Sequence, residues 1–366
     1  MDEGRSKLNC TGPHIIYNCD DQSCISFLER TKDLFLKEKN SKDKPIVIID
    51  ASYEGECNPE FESFLAGWAD NKVNYWDKLH SLLSEYDSEK IILLRNDPNI
   101  SEKYTKWLEI HNVKRVFGRC IYRPETLLNR SIDFYEKNPK KQNNPKAFKS
   151  KHFICMNGAA KSHRFDMVEL LFANGWDRQG HISYLNKYKS EAYRKYLDSK
   201  SKSYFQGQTL TLDFDAITID EGANQETLPS QYADVCFEIV NESIVCETSL
   251  HLTEKVWKPI LNEKPFIILG PKYAHNHLQD HFGIKPYFDL FDYEFDCLDY
   301  PERLHNMKEK NLERLLNMNI NELNEIVNSD SMKEQMAYNK SQLLKYSKEK
   351  FDEDLVRPGL ENLTYS

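Results

Sequence analysis

The chain has 366 residues, with 49 Lys+Arg against 58 Asp+Glu for a formal charge of −9. Hydrophobic residues at 40% and aromatics at 12% suffice for packed cores, which excludes wholesale disorder, and the length suits two domains. The acidic balance excludes a broadly basic protein, though a local basic groove survives such an average; no run of about 18 apolar residues occurs, so no spanning helix is expected.

The first half alternates strands and helices. Residues 14–19 read as a strand and 23–39 as a helix with Phe27, Leu34 and Phe35 on one face. Residues 45–50 are the strongest strand, continuous, β-branched and ending in the carboxylate of Asp50. Such continuous runs belong to strands buried on both faces of a parallel sheet. A helix over 73–86, a strand over 91–95, a helix over 101–111 and a strand over 114–117 follow, which is the spacing of βαβ units. Residues 136–151, EKNPKKQNNPKAFKSK, combine Pro, Asn and Lys with almost no apolar residue. They read as a linker or as a long surface loop. The expected division is a first domain over 1–148 and a second over 149–366.

The alternation then restarts. A strand over 152–156 precedes an amphipathic helix over 162–174 and a charged helical stretch over 187–203. Strands are expected over 208–212 and 235–240, a short helix over 254–261, and a buried strand over 265–269 that ends at Gly270-Pro271. Two long helical stretches, 301–316 and 320–348, close the chain. The fold class is α/β, two Rossmann-like units in tandem with long C-terminal helices, and ligands of such sheets bind at the carboxyl ends of strands. The nine cysteines are scattered, odd in number and without a C-x-x-C pair. That is the usage of a reducing compartment, so a cytoplasmic protein is expected. The opening MDEGRSKLNC has no apolar segment, so no secretory signal is expected.

Two segments carry the densest chemistry. In FICMNGAAKSHR (153–164) a strand ends at Asn157, a loop of small residues follows, and Ser162 can cap the next helix. Lys161, His163 and Arg164 crowd that helix start, where free N–H groups and the dipole already favour an anion. Basic residues are disfavoured at an N-terminus unless an anion offsets them, so a diphosphate site is the functional reading and a basic surface turn the plain one. In LTEKVWKPIL (252–261) Thr253 stands as N-cap with Glu254 and Lys255 in the first turn. Lys255 suits a phosphate and Glu254, with two acceptor oxygens, the hydroxyls of a ribose. Pro259 implies a kink or a short helix.

The second segment, with the buried strand and glycine after it, resembles the signature of the alpha-1,3-fucosyltransferases, in which T-E-K opens a helix. Cys236-Phe237-Glu238 resembles the F-E stretch that precedes it, and the segment from Asn157 to Arg164 resembles the family's strand–Asn–loop–Arg. Together with Phe282–Asp292 these segments are also similar to uncharacterised viral and phage glycosyltransferases. The resemblance covers roughly residues 152–300 and implies a GT-B architecture, two Rossmann-like domains facing a cleft with the nucleotide on the second. It implies that Arg164 and Lys255 hold the donor diphosphate, that Glu254 takes the ribose, and that Glu238 or Glu247 lines the donor pocket, beside Asn157, Lys161 and Thr253. The chain departs from the family between F-E and T-E-K, where residues 242–252 form a longer insert.

An inverting transfer needs a base for the acceptor hydroxyl. The candidates, in order, are Asp50, Glu54 and Asp20, each at or after the carboxyl end of a strand of the first domain. Asp213-Phe214-Asp215 is a D-x-D pair that binds a metal in other transferases and here reads as a solvated strand end. His275, His277 and His281 do not form a matched metal motif, although 277 and 281 share a helical face. No metal and no cofactor is expected beyond a nucleoside diphosphate sugar as donor. The acceptor is expected to be a glycan or glycoprotein, or a hydroxylated DNA base of a virus or phage. The alternative is a nucleotide-sugar-binding protein without turnover.

Overall fold

The computed structural model describes residues 14–18, 46–51, 91–95, 98, 100–112, 114–115, 119–122, 125–137, 147–158, 160–185, 203–212, 228–245, 247 and 250–353. Asp20, Glu54, the D-x-D pair, the expected helices over 23–39 and 73–86 and nearly all of 187–203 lie outside the described residues. The chain divides into two compact units, Met1–Leu127 and Leu128–Ser366.

The first unit holds a parallel sheet of β1 (His14–Asn18), β2 (Ile46–Ala51), β3 (Ile91–Arg95) and β4 (Arg119–Tyr122), in the order β1-β2-β3-β4. Helix α1 (Ile100–His111) connects β3 to β4. Asp50 stands one residue from the end of β2, in register with Asn18 and Leu94. The strand expected over 114–117 begins later, at Arg119. Arg115 instead turns back on α1, its guanidinium donating to Thr105 Oγ1 at 3.1 Å and lying 5.4 Å from the Tyr104 ring centroid.

The second unit begins inside a helix for which the sequence reading predicts no element. Helix α2 (Glu125–Lys137) buries Leu128 and Ile132 in the same core as Phe153, Phe237 and Trp257. That burial is why the division falls before residue 128 and not at 148/149. The chain entering the second sheet is also tied down, because Asn324 exchanges hydrogen bonds with the backbone of Lys149, N–H to Oδ1 at 2.8 Å and Nδ2 to the carbonyl at 2.9 Å.

Four parallel strands follow, β5 (Lys151–Cys155), β6 (Gly180–Ile182), β7 (Val235–Asn241) and β8 (Phe266–Leu269), in the order β6-β5-β7-β8. Every residue of β7 and β8 is buried, as their continuous apolar sequences require. Sequence reading misses the short β6. Gly180 is needed there because a Cβ would lie 2.5 Å from the Phe153 ring. The strand expected over 208–212 reduces to one antiparallel bridge between Leu210 and Tyr184. Helices α3 (Ser162–Ala173), α4 (Glu254–Leu261) and α5 (Ala274–Phe282) cover the sheet.

The C-terminal helices are α6 (Glu302–Met307), α7 (Glu313–Asn317), α8 (Ile320–Val327) and α9 (Asp330–Glu353), with a π-helical turn over Lys308–Leu312 between the first two. The single helix expected over 320–348 is therefore two. Asn328 ends α8, and the Ser329 hydroxyl accepts from the Met332 N–H at 3.2 Å, capping the start of α9. Phe282 of α5 meets Tyr346 of α9 ring to ring at 4.6 Å. The fold is α/β with parallel sheets, and no described helix is long and apolar enough to cross a membrane.

Candidate functional site

The order β6-β5-β7-β8 reverses direction between β5 and β7: the chain runs outward from β5 to β6, then returns to the other side for β7 and β8. At such a reversal the crossovers leave in opposite directions and open a crevice beyond the carboxyl ends of the two central strands. The residues at those ends are Asn157 after β5 and Asn241-Glu242-Ser243 at and after β7. The N-termini of α3 and α4 arrive at the same place, as the contacts below establish.

Asn157 is fully buried and spans three strand ends. Its N–H donates to Ser183 Oγ at 3.0 Å, its Nδ2 to the Ser183 carbonyl at 2.9 Å, and its Oδ1 accepts from Asn241 Nδ2 at 2.9 Å. The side chain expected to contact a donor is thus used in fixing the strand ends. Beyond it, Gly158 is exposed and a Cβ there would meet nothing within 4 Å, so the loop leaves room.

Helix α3 starts without a side-chain cap. Its N-cap is Lys161, and Ser162, expected as the cap, is the first helical residue. Lys161 Nζ donates to the Ser243 carbonyl at 2.8 Å. His163 Nε2 and an Arg164 terminal nitrogen both donate to the Glu242 carbonyl, at 2.9 and 3.0 Å. Burial, then the charge of Arg164, holds the His163 imidazole well below its ordinary pKa, so it stays neutral. Arg164 is 2% exposed; burial lowers its pKa and the nearby Glu242 and Glu254 oppose that. It remains charged, since a guanidinium cannot be deprotonated in a protein.

Thr253 stands at the N-cap of α4, as expected, but its hydroxyl does not cap the helix. The hydroxyl donates to Glu242 Oε2 at 2.7 Å and the Thr253 N–H to Glu242 Oε1 at 2.8 Å. Lys255 Nζ donates to Glu254 Oε1 at 2.7 Å and to the hydroxyls of Ser243 and Thr253 at 3.1 Å. Burial pushes the Glu254 carboxyl up, but Lys255 and Lys258 outweigh it and bring it to about 2. The site therefore gathers Lys161, Arg164 and Lys255 against the carboxylates of Glu242 and Glu254.

The other expected donor residues fall elsewhere. Glu238 lies mid-strand in β7, in register with Ile154 and Phe266, and accepts from the Tyr232 hydroxyl at 2.6 Å. Burial raises its carboxyl to about 7, against the pull of Lys258, that hydroxyl and Lys264. Glu247 pairs with the fully buried Arg303 at 2.6 Å and accepts from the Tyr300 N–H at 2.9 Å, while Arg303 also donates to the Gly270 carbonyl. Both carboxylates are thus engaged within the protein. Of the base candidates, Asp50 is at the carboxyl end of its strand as expected, and Glu54 and Asp20 lie outside the described residues.

His275 is buried, its Nδ1 3.0 Å from Asp296 and its Nε2 accepting from the Ile268 N–H at 3.1 Å, so it joins β8 to α5. His277 and His281 stack at 5.1 Å, on one helical face as their spacing predicts. Among the described residues no cluster of three or more His, Cys, Asp or Glu side chains is arranged to hold a metal ion.

Sequence reading missed the roles of Asn241, Glu242, Ser243 and Arg303. The signal was present in the first three: N-E-S follows an unbroken apolar strand, and a polar triplet ending such a strand sits at the carboxyl edge where ligands bind. No protein-family model, curated protein or solved structure matches the chain.

Proposed function

We propose that the chain is a glycosyltransferase of GT-B architecture that moves a sugar from a nucleoside diphosphate donor to an acceptor hydroxyl, without a metal and with inversion. The observation that carries the reading is the convergence of two helix N-termini and three cations, Lys161, Arg164 and Lys255, at the strand-order reversal of the second sheet. Helix dipoles and fixed cations in a partly buried site stabilise a departing diphosphate without a metal.

In the reaction a carboxylate, Asp50 first among the candidates, takes the proton of the acceptor hydroxyl. The oxygen attacks the anomeric carbon, the bond from that carbon to the diphosphate oxygen breaks, and the electron pair leaves with the diphosphate. Arg164 and Lys255 face the charge that develops there. Lys255 accommodates it by exchanging its two longer bonds, at 3.1 Å to Ser243 and Thr253, for a phosphate oxygen. Glu254 takes the ribose hydroxyls. The acceptor is a glycan or glycoprotein hydroxyl or a hydroxylated DNA base.

The test is release of nucleoside diphosphate from a panel of sugar nucleotides incubated with glycan acceptors and with DNA carrying hydroxymethylated bases. Acceptor-dependent release is expected for one donor. Binding of nucleotide with no release under any acceptor would leave the non-turnover reading standing in its place.

A further inference from the structure

We infer that Glu242 is the positioning residue of this site: its main-chain carbonyl fixes one phosphate-holding element and its carboxylate the other, without itself touching the ligand. The inference rests on the donor-site reading above. Glu242 is fully buried at the end of β7, and its N–H continues the sheet by donating to the Leu269 carbonyl at 2.9 Å. Its carbonyl receives His163 and Arg164 from α3. Its carboxylate receives the N–H and hydroxyl of Thr253 from the start of α4, and Oε2 also accepts from the Ser243 N–H at 2.8 Å. A buried carboxylate is costly unless its lone pairs are filled, and here three donors fill them.

The consequence is geometric. Thr253 precedes Glu254 and Lys255 directly, so the carboxylate that holds Thr253 sets where that pair begins. Ser243 is held by the same carboxylate, and its hydroxyl and carbonyl are the partners of Lys255 and Lys161. All three cations are therefore placed through one residue. Ser243 and Thr253 are both tied to the same carboxylate.

The neighbouring chain is shaped to keep Glu242 there. A Cβ on Gly270 would lie 3.1 Å from Glu242 Cβ, 3.2 Å from its Cγ and 2.9 Å from Ile268 Cγ2. The approach to Ile268 is closer than side-chain carbons come and the two to Glu242 are tighter than most, so an alanine there would press on the Glu242 side chain. The Gly270 carbonyl is fixed in turn by Arg303, which is fixed by Glu247. The expected donor residue Glu247 then contributes at one remove, by holding the wall against which Glu242 lies.

The experiment is titration calorimetry of ADP, GDP, UDP, CDP and TDP, and of the parent nucleoside of each that binds, against the wild type, E242Q and G270A, with a melting temperature for each protein. E242Q keeps the shape but replaces one acceptor oxygen with a donor and removes the charge. G270A alters no polar group and crowds the Glu242 side chain. A role in positioning predicts that affinity for the bound diphosphate falls about tenfold or more in either variant that folds, while affinity for its nucleoside is unchanged. A melting temperature that drops with diphosphate affinity intact in a folded E242Q or G270A overturns the inference, because a purely structural role would give that result. If the wild type itself binds none of the five diphosphates, the donor-site reading falls and this inference with it, which is a distinct outcome from loss of the variant effect alone.

Discussion

The two parallel sheets have similar ingredients and different topologies. The described strands of the first run in sequence order, β1-β2-β3-β4, whereas the second runs β6-β5-β7-β8 and reverses between β5 and β7. In the first, each crossover moves the same way, so the described strands leave no point where neighbouring crossovers part. In the second they part at Asn157 and Asn241-Glu242-Ser243, and every cation of the candidate site is there. The lesson is that the apolar strands alone do not select the site; the order in which they are laid down does. The proposed function divides the tasks accordingly, anion binding to the second unit and a general-base carboxylate, Asp50, to the first.

That division of labour can be broken most sharply at Asp50. D50N is expected to lower the turnover number about 100- to 10,000-fold, the usual worth of a general base, while the dissociation constant for nucleoside diphosphate stays within about twofold. Equal loss of binding in D50N would erase the contrast between the sheets. R164M is the converse, removing a buried guanidinium while keeping the aliphatic part of the side chain. It should weaken diphosphate binding about 100-fold, readable by calorimetry, with guanosine or uridine affinity unaffected.

Two buried carboxylates of the second unit sharpen the comparison within one sheet. Glu254, at the crevice, is held at about 2 by its lysines, and Glu238, mid-strand, is raised to about 7 by burial. Glu254 has a folded pKa below its free value, so the stability it contributes is present above about pH 4.5 and is lost as pH falls toward 2. K255M removes the closest cation. It should cost about 2 kcal/mol at neutral pH and flatten the rise in urea stability between pH 2 and 4.5.

Glu238 has the opposite sign. Its folded pKa lies above its free value, so its contribution is full below about pH 4.5 and declines as pH rises through 7. E238Q retains a partner for the Tyr232 hydroxyl without the titration. It is expected to gain on the wild type by about 2 kcal/mol between pH 4.5 and 8. Lys264, lowered to about 7 chiefly by burial, changes stability in the other direction between pH 7 and 10.5. The difference between E238Q and wild type, measured pH by pH, therefore isolates the carboxylate. Nucleotide affinity should not change in E238Q, since Glu238 lies away from the strand ends.

Much of the fold is legible in the sequence where local pattern decides it. The apolar runs that become β1, β2, β3, β5, β7 and β8, and the helices α1, α3 and α4, are in place within a residue or two. What is not legible depends on partners distant in the chain. Helix α2 joins the second unit because Leu128 and Ile132 find its core, β6 pairs with β5 where Gly180 clears the Phe153 ring, and the last long stretch splits at Asn328, which is bonded to Lys149 Nζ and the Ala147 carbonyl. The candidate site follows the same rule. Lys161, Arg164, Thr253, Glu254 and Lys255 are evident from helix-start chemistry, and the structure brings them together. Glu238 and Glu247 have the right charge in the right segment, but Tyr232 and Arg303 claim them. Glu242 is invisible as an isolated acid in an insert, because its role is written in the residues of two other helices.

The most direct test of the central claim is a thermal-shift panel of ADP, GDP, UDP, CDP and TDP against the wild type and R164M. An anion site at the strand reversal predicts that at least one diphosphate raises the wild-type melting temperature by several degrees when present at about 100 times its dissociation constant. The same compound should move R164M by about a degree or less. No shift of the wild type by any diphosphate, or an equal shift of R164M, would contradict it.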